Sequence, residues 1–229
     1  MNKRLMTIAS QIENGKGFAD VGTDHGYLPV HMLAAGYTGK IYASDINSAP
    51  LQTAVDSAGE AGVSDKIKFL LCDGLALCPP DEIDTIVIAG MGGDTICRIL
   101  DEAEWCMDGK YKLILQPMTK PEVVRYWLTN NEFEIRSELL ADESGTIYQI
   151  IVAVFGGETR LSDAELFAGK WELTNDRQLY LRQLDKLCGR FEKAVSGIDS
   201  GETQPVWLSL FRDILSQLEE MRRKYGHGK

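Results

Sequence analysis

Over residues 1–157, short apolar runs alternate with amphipathic stretches, and beyond them the apolar period lengthens to three and four. Leu5, Ile8, Ala9 and Ile12 mark one face of an opening helix. Phe18 to Asp20 reads as a first strand ending in an acid, followed by a glycine-bearing turn and a helix over Leu28 to Ala35. Ile41 to Asp45 and Ile67 to Gly74 read as second and third strands. Ile83 to Ala89, β-branched and nearly all apolar, fits a central parallel strand covered on both faces, opening onto a Gly90-Met91-Gly92-Gly93 loop. A helix over Asp94 to Ala103, a strand over Lys112 to Gln116 and a helix over Glu122 to Asn130 follow. Phe133 to Leu140 and Thr146 to Phe155 then form a closing antiparallel hairpin across residues 141–145, and Gly156-Gly157 ends the unit. Leu181, Leu184, Cys188, Phe191, Val195 and Ile198 make one helical stripe; Trp207, Phe211, Ile214, Leu218 and Met221 make a second. A Gly, Asp, Ser and Pro segment over residues 197–205 separates them. The pattern predicts an α/β fold, a seven-stranded sheet over residues 1–157, with an antiparallel α-helical hairpin over residues 158–229.

The strand ends carry the chemistry. In an open α/β sheet a nucleotide-like ligand sits at the carboxyl end of the first strand, where glycine lets backbone approach it closely. The turn Asp20-Val21-Gly22-Thr23-Asp24-His25-Gly26 spaces its glycines as G-x-x-x-G and sets Asp24 where a dinucleotide site needs a glycine. A carboxylate there repels a pyrophosphate. S-adenosylmethionine (SAM) has no phosphate and carries a sulfonium and an ammonium, so the acid-rich loop favours SAM over NAD. Asp45 lies at the second strand end, where an acid accepts from ribose hydroxyls, and Asp73, ahead of Gly74, can accept from the adenine amine. Each acid taken alone also fits a solvated loop. The antiparallel final hairpin is the feature that separates Rossmann-like methyltransferase sheets from dinucleotide folds.

Three segments resemble a known family: Asp20-Val21-Gly22-Thr23-Asp24-His25-Gly26-Tyr27-Leu28-Pro29, Ile88-Ala89-Gly90-Met91-Gly92-Gly93 and Leu113-Ile114-Leu115-Gln116-Pro117. Together they are similar to the bacterial tRNA adenine-N1-methyltransferases that modify adenosine 22, the TrmK type. The likeness implies a Rossmann-like methyltransferase domain with a helical, coiled-coil-like C-terminal domain, SAM as cofactor and tRNA as partner. It implies Asp20, Gly22 and Gly26 around the methionine moiety, Asp45 at the ribose and Asp73 at the adenine. Thr23, Ile46, Gly74 and Gly90 complete the expected cofactor-binding set.

For the reaction, adenine N1 carries a lone pair and needs no deprotonation, while methylation leaves the ring cationic. An acceptor near N1 therefore stabilises the transition state more than the ground state. Asp24 suits that role, and it also fits an N-cap of the following helix. Tyr27 could stack on the base, or sit in the core. Gln116 and Pro117 could meet the base edge, and His25 could touch substrate. Met91 and Gly92 replace the Asn/Asp-Pro-Pro-aromatic clamp of many amino-methyltransferases, which favours a ring nitrogen over an exocyclic amine and leaves room for a flipped-out base. For the Gly90–Gly93 loop and for Gln116-Pro117, tight turns forced by the topology are the alternative reading.

Composition adjusts this picture. The net charge of −10 opposes a protein held on RNA mainly through phosphates. All the excess negative charge lies in residues 1–160; the remainder is balanced and locally basic at Arg177, Arg182, Lys186, Arg190 and Lys193, then at Arg222, Arg223 and Lys224. These side chains could face a phosphate backbone or simply solvate a helix. The cysteines, at 72, 78, 97, 106 and 188, form no metal-ligand pattern, so a reducing cytoplasm and no metal are expected. No run is long enough to span a membrane, and nothing demands a second copy, so a monomer is expected. Two other readings stay open: a SAM-dependent enzyme acting on a small molecule or protein, and a non-catalytic SAM- or RNA-binding scaffold.

Overall fold

The computed structural model describes residues 2–197 and 205–226, which divide into two compact units, Met1–Thr159 and Arg160–Lys229. The first unit extends two residues past the expected Gly156-Gly157 boundary. Thr159 is buried, and its hydroxyl accepts the Ile135 N–H at 2.7 Å, which ties the segment back to the sheet.

Unit one is a seven-stranded sheet in the order β3-β2-β1-β4-β5-β7-β6. Its strands are β1 Phe18–Val21, β2 Ile41–Asp45, β3 Ile67–Leu71, β4 Thr85–Gly92, β5 Lys112–Thr119, β6 Phe133–Glu143 and β7 Thr146–Phe155. The first five run parallel, and β7 enters antiparallel between β5 and β6. The helices are α1 Lys3–Ala9, α2 Tyr27–Ala34, α3 Ser48–Glu60, α4 Gly93–Asp101 and α5 Pro121–Asn130. All four residues of β1 and the first four of β4 are buried, as central strands covered on both faces require. Strand order reverses between β1 and β4, so the following connections diverge and leave a crevice at their carboxyl ends.

Several boundaries differ from the sequence reading, each for a physical reason. The Gly90-Met91-Gly92 segment is not a loop. It continues β4, with register shifts against β5 around Met91, and Gly90 takes φ 82°, which glycine tolerates. β5 runs on through Pro117, because β7 pairs only with Lys112–Leu115 and no ladder N–H is needed beyond. β3 stops at Leu71, leaving Asp73 and Gly74 in a turn. The β6–β7 strands extend so far that only Ser144-Gly145 remains between them, at φ 49° and 85°, the two left-handed residues of a tight hairpin. α1 ends before Ile12, which is nevertheless buried.

Among its described residues, unit two holds three α-helices: α6 Asp163–Ala168, α7 Arg177–Gly197 and α8 Pro205–Gly226. α6 is absent from the sequence reading, although Ser162 and Glu165 form a reciprocal capping box that the S-x-x-E spacing announces. The α7 stripe is broader than expected. Leu184, Cys188 and Phe191 are buried with Leu179, Tyr180 and Leu187, whereas Leu181 and Val195 are half-buried. On α8, Ile214 and Leu218 are buried, but Trp207 is exposed. Ile198 and the expected connecting segment lie outside the described residues.

Four thiols are buried, and burial pushes those of Cys78, Cys97 and Cys106 up to about 12. A buried ion pair fixes α5 on the sheet. Arg125 Nε and one terminal nitrogen donate to Glu138 at 2.8 Å each, and the same terminal nitrogen donates to Gln149 at 2.7 Å. Neither partner reaches solvent. Glu138→Ala strands a buried guanidinium and is expected to cost about 3–5 kcal/mol in urea unfolding, whereas Arg125→Met paired with Glu138→Leu should cost much less.

Candidate methyl-transfer site

A cavity of about 480 Å³ opens at the carboxyl ends of β1, β2, β4 and β5, at the point where strand order reverses. The strands deliver Asp20 and Val21, Ser44 and Asp45, Ala89 to Met91, and Met118; the β1–α2 turn adds Gly22, Thr23, Asp24 and Tyr27. Ile46, Asp73 and Gly74 close one side.

Asp20 is 6% exposed and accepts the Thr23 hydroxyl at 2.7 Å. Burial is the main cause that raises its carboxyl from 3.8 to about 6; the Thr23 bond and the Arg4 charge pull the other way, and Asp45 adds a smaller upward push. Asp45 is buried to 9% exposure, and one of its oxygens accepts the Asn47 N–H at 2.8 Å. Ser44 donates its hydroxyl to the Gly74 carbonyl at 2.9 Å, locking the β2 end to the turn after β3. Gly22 has φ 71°, and a Cβ there would stand 2.2 Å from Met91 Cε. Glycine therefore keeps the floor of the cavity open beneath Met91. The cavity has the size of nucleoside-type sites, and its acid lining suits a ligand bearing hydroxyls and positive charge.

Asp24 stands at the mouth with its side chain 68% exposed and φ 52°, a left-handed backbone that Asp tolerates better than most residues. It does not cap α2. The N-cap is Gly26, and no side chain bonds the first turn. Tyr27 lines the cavity and is 58% exposed, which sets aside the core reading.

Five of the residues singled out from sequence are not on the cavity wall. His25 stacks on Tyr27 at 5.2 Å between ring centroids and lies 3.7 Å from Asp24. Gly26 serves packing, since a Cβ there would meet Ala54 Cβ at 3.0 Å, where α2 starts against α3. Gly92 is the N-cap of α4. Gln116 is fully buried with its amide engaged: Arg4 donates to its oxygen at 2.5 Å, and its nitrogen donates to the Pro117 carbonyl at 3.0 Å. A side chain so held has no edge to offer a base, and Pro117 is buried beside it.

Two arginines on the wall escape the sequence reading. Arg4 reaches in from α1, its own N–H donating to Glu143 at 2.9 Å, and a Cβ on Gly90 would meet its guanidinium at 3.5 Å. Arg98 of α4 donates to both oxygens of Asp73 at 3.1 Å and to Glu102. The partner of Arg4 is 112 residues away, so no local spacing reveals it. The Arg98–Glu102 pair is readable as an i,i+4 contact, but the bond to Asp73 is not.

A parallel sheet closed by an antiparallel β7, with an acid at each of three neighbouring strand ends, defines a Rossmann-like SAM-dependent methyltransferase, and a methyltransferase-domain family model matches residues 1–151. The tRNA (adenine(22)-N(1))-methyltransferase of Bacillus subtilis strain 168 is 35% identical over 237 residues, covering 100% of this chain and 98% of that protein. The chain belongs to this tRNA methyltransferase family. Among solved structures, Streptococcus pneumoniae Sp1610 in complex with S-adenosyl-L-methionine superposes with TM-score 0.83 at 29% identity, covering 97% of this chain and 99% of that one. The B. subtilis M1A22 tRNA methyltransferase TrmK gives 0.79 at 26% identity, covering 99% and 97%.

Asp20 yields a stability prediction. Its carboxyl is raised on folding, so its favourable contribution is complete below about pH 4 and is lost as pH rises through about 6. In the ligand-free protein the charged form then costs roughly 3 kcal/mol. Asp20→Asn should raise the melting temperature at pH 8, leave it nearly unchanged at pH 4, and weaken SAM binding. Equal melting shifts at both pH values would contradict this.

Proposed function

We propose that the protein transfers the methyl group of SAM to N1 of adenosine 22 in tRNA, acting in the cytoplasm as a monomer. The observation that carries this reading is the row of carboxylates along the strand ends, Asp20, Asp45 and Asp73, at a cavity whose mouth is Asp24 and Tyr27.

SAM supplies an electrophilic methyl on a sulfonium: as the N1–carbon bond forms, the sulfur–carbon bond breaks, and the positive charge passes from sulfur to the adenine ring. The chain's part is placement and charge. Asp45, with one oxygen already satisfied by Asn47, keeps acceptor capacity for a ribose hydroxyl. Asp73 offers its carboxylate toward the adenine, steadied by Arg98. Asp20 faces the positive methionine end, and a cation there favours its ionised form, so SAM binding should tighten as pH rises through about 6. Met91 and Met118 contribute apolar surface to the cavity wall. Tyr27 gives the incoming base an aromatic face, and Asp24 sets a carboxylate where the ring becomes cationic. No proton leaves N1, so no general base is required.

The acidic balance of the first unit also fits a SAM-dependent enzyme with a small-molecule or protein substrate. The deciding experiment is methyl incorporation into an unmodified tRNA transcript, mapped by reverse-transcription stops: a stop at position 22 is expected, and labelling elsewhere or none would reject the reading. Asp24→Ala is expected to lower kcat about 100-fold with little change in SAM affinity. A parallel loss of both would move Asp24 from the reacting base to the cofactor.

A further inference from the structure

Unit two holds a second cavity, of about 260 Å³, that no part of the methyl-transfer site uses. Its floor is aromatic. Trp171 and Tyr225 stack with ring centroids 4.4 Å apart and planes 10° from parallel, and Tyr180, buried, braces Trp171 edge-on at 5.5 Å. Its rim is cationic. The Arg177 guanidinium lies 5.3 Å over the Trp171 ring, and the Lys224 ammonium lies 5.0 Å from the Tyr225 ring. Both cations are exposed, and neither makes an ion pair among the described residues. Glu172 accepts the Tyr225 hydroxyl at 3.4 Å, and Asp176 immediately precedes Arg177 in the chain.

We propose that this pocket is an RNA-binding site, in which an unpaired base of the tRNA stacks on the Arg177–Trp171–Tyr225 column while Arg177 and Lys224 meet its flanking phosphates. The proposal rests on the tRNA substrate assigned above. Bases stack on aromatic rings and equally on guanidinium planes, and aromatic rings bordered by cations are how proteins hold single-stranded nucleotides without reading their sequence. Charge distribution is consistent with this. Residues 1–160 carry all the excess negative charge of a chain at −10, so the balanced second unit repels a tRNA backbone less than the first. A pocket for an apolar protein side chain needs no such pair of solvated cations at its rim.

The test compares the full-length protein with an Arg177→Glu/Lys224→Glu double variant and with Trp171→Leu. Binding of an unmodified tRNA transcript is measured at several salt concentrations, and S-adenosylhomocysteine binding is measured by calorimetry. The double variant should bind tRNA at least about ten-fold more weakly, with a log–log salt slope shallower by about 1.4, that is ~0.7 for each single-strand phosphate no longer neutralised. Trp171→Leu should weaken binding by a similar factor with the slope unchanged, because stacking is uncharged. S-adenosylhomocysteine affinity should stay the same in both, which reports on unit one, and an unchanged far-UV circular dichroism spectrum and melting curve report on the helices of unit two. Undiminished tRNA affinity in either variant would overturn the assignment and leave the pocket to a protein contact. Failure of the unaltered protein to bind tRNA would instead reject the substrate reading itself.

Discussion

The site depends on a carboxyl group placed where a carboxylate is costly. Asp20 lies one residue before the end of β1, a central strand, with the Thr23 hydroxyl as its side-chain hydrogen-bond donor and Asp45 close by. Burial alone would expel such a group or neutralise it. On the proposed function, the cavity beside it would admit a ligand that brings positive charge, and the cost of burying the carboxylate would become selectivity for that ligand. The other features serve this arrangement: Gly22 keeps the floor low, Met91 and Met118 make the wall apolar, and Arg4 and Arg98 balance the acids from opposite sides.

Much of the fold is legible in the sequence because its central strands, β1, β2 and the first half of β4, are buried on both faces and read as largely apolar runs. β2 and β7 match their expected bounds, and the antiparallel ending is as expected. Misjudged boundaries come from treating glycine and proline as stops. Gly90 sits at a register shift in the β4–β5 ladder, and Pro117 lies beyond the end of the β5–β7 ladder, so both are accommodated inside strands. Helix α6 shows the converse error, since a six-residue helix has too little periodicity to register and only its capping residues announce it.

The cavity wall is legible where it is built from strand ends, because order along the chain and order along the sheet edge are linked. It is opaque where a side chain crosses the fold. Arg4 lies on an N-terminal helix whose sequence shows only an amphipathic face, and it is the contact with Gln116 that puts it on the wall. The same contact removes Gln116 from any encounter with substrate. Sequence order puts Gln116 at the correct strand end but cannot reveal that a distant cation has already claimed its amide.

The cysteines carry a practical corollary. Cys78, Cys97, Cys106 and Cys188 are buried, and the first three hold their protons well above neutrality. Cys72 alone is partly open to solvent, and it adjoins Asp73 on the cavity wall. A maleimide dye at neutral pH thus has a single reachable anchor on the folded chain. That anchor gives a fluorescent reporter beside Asp73 on the cavity wall without any engineered residue.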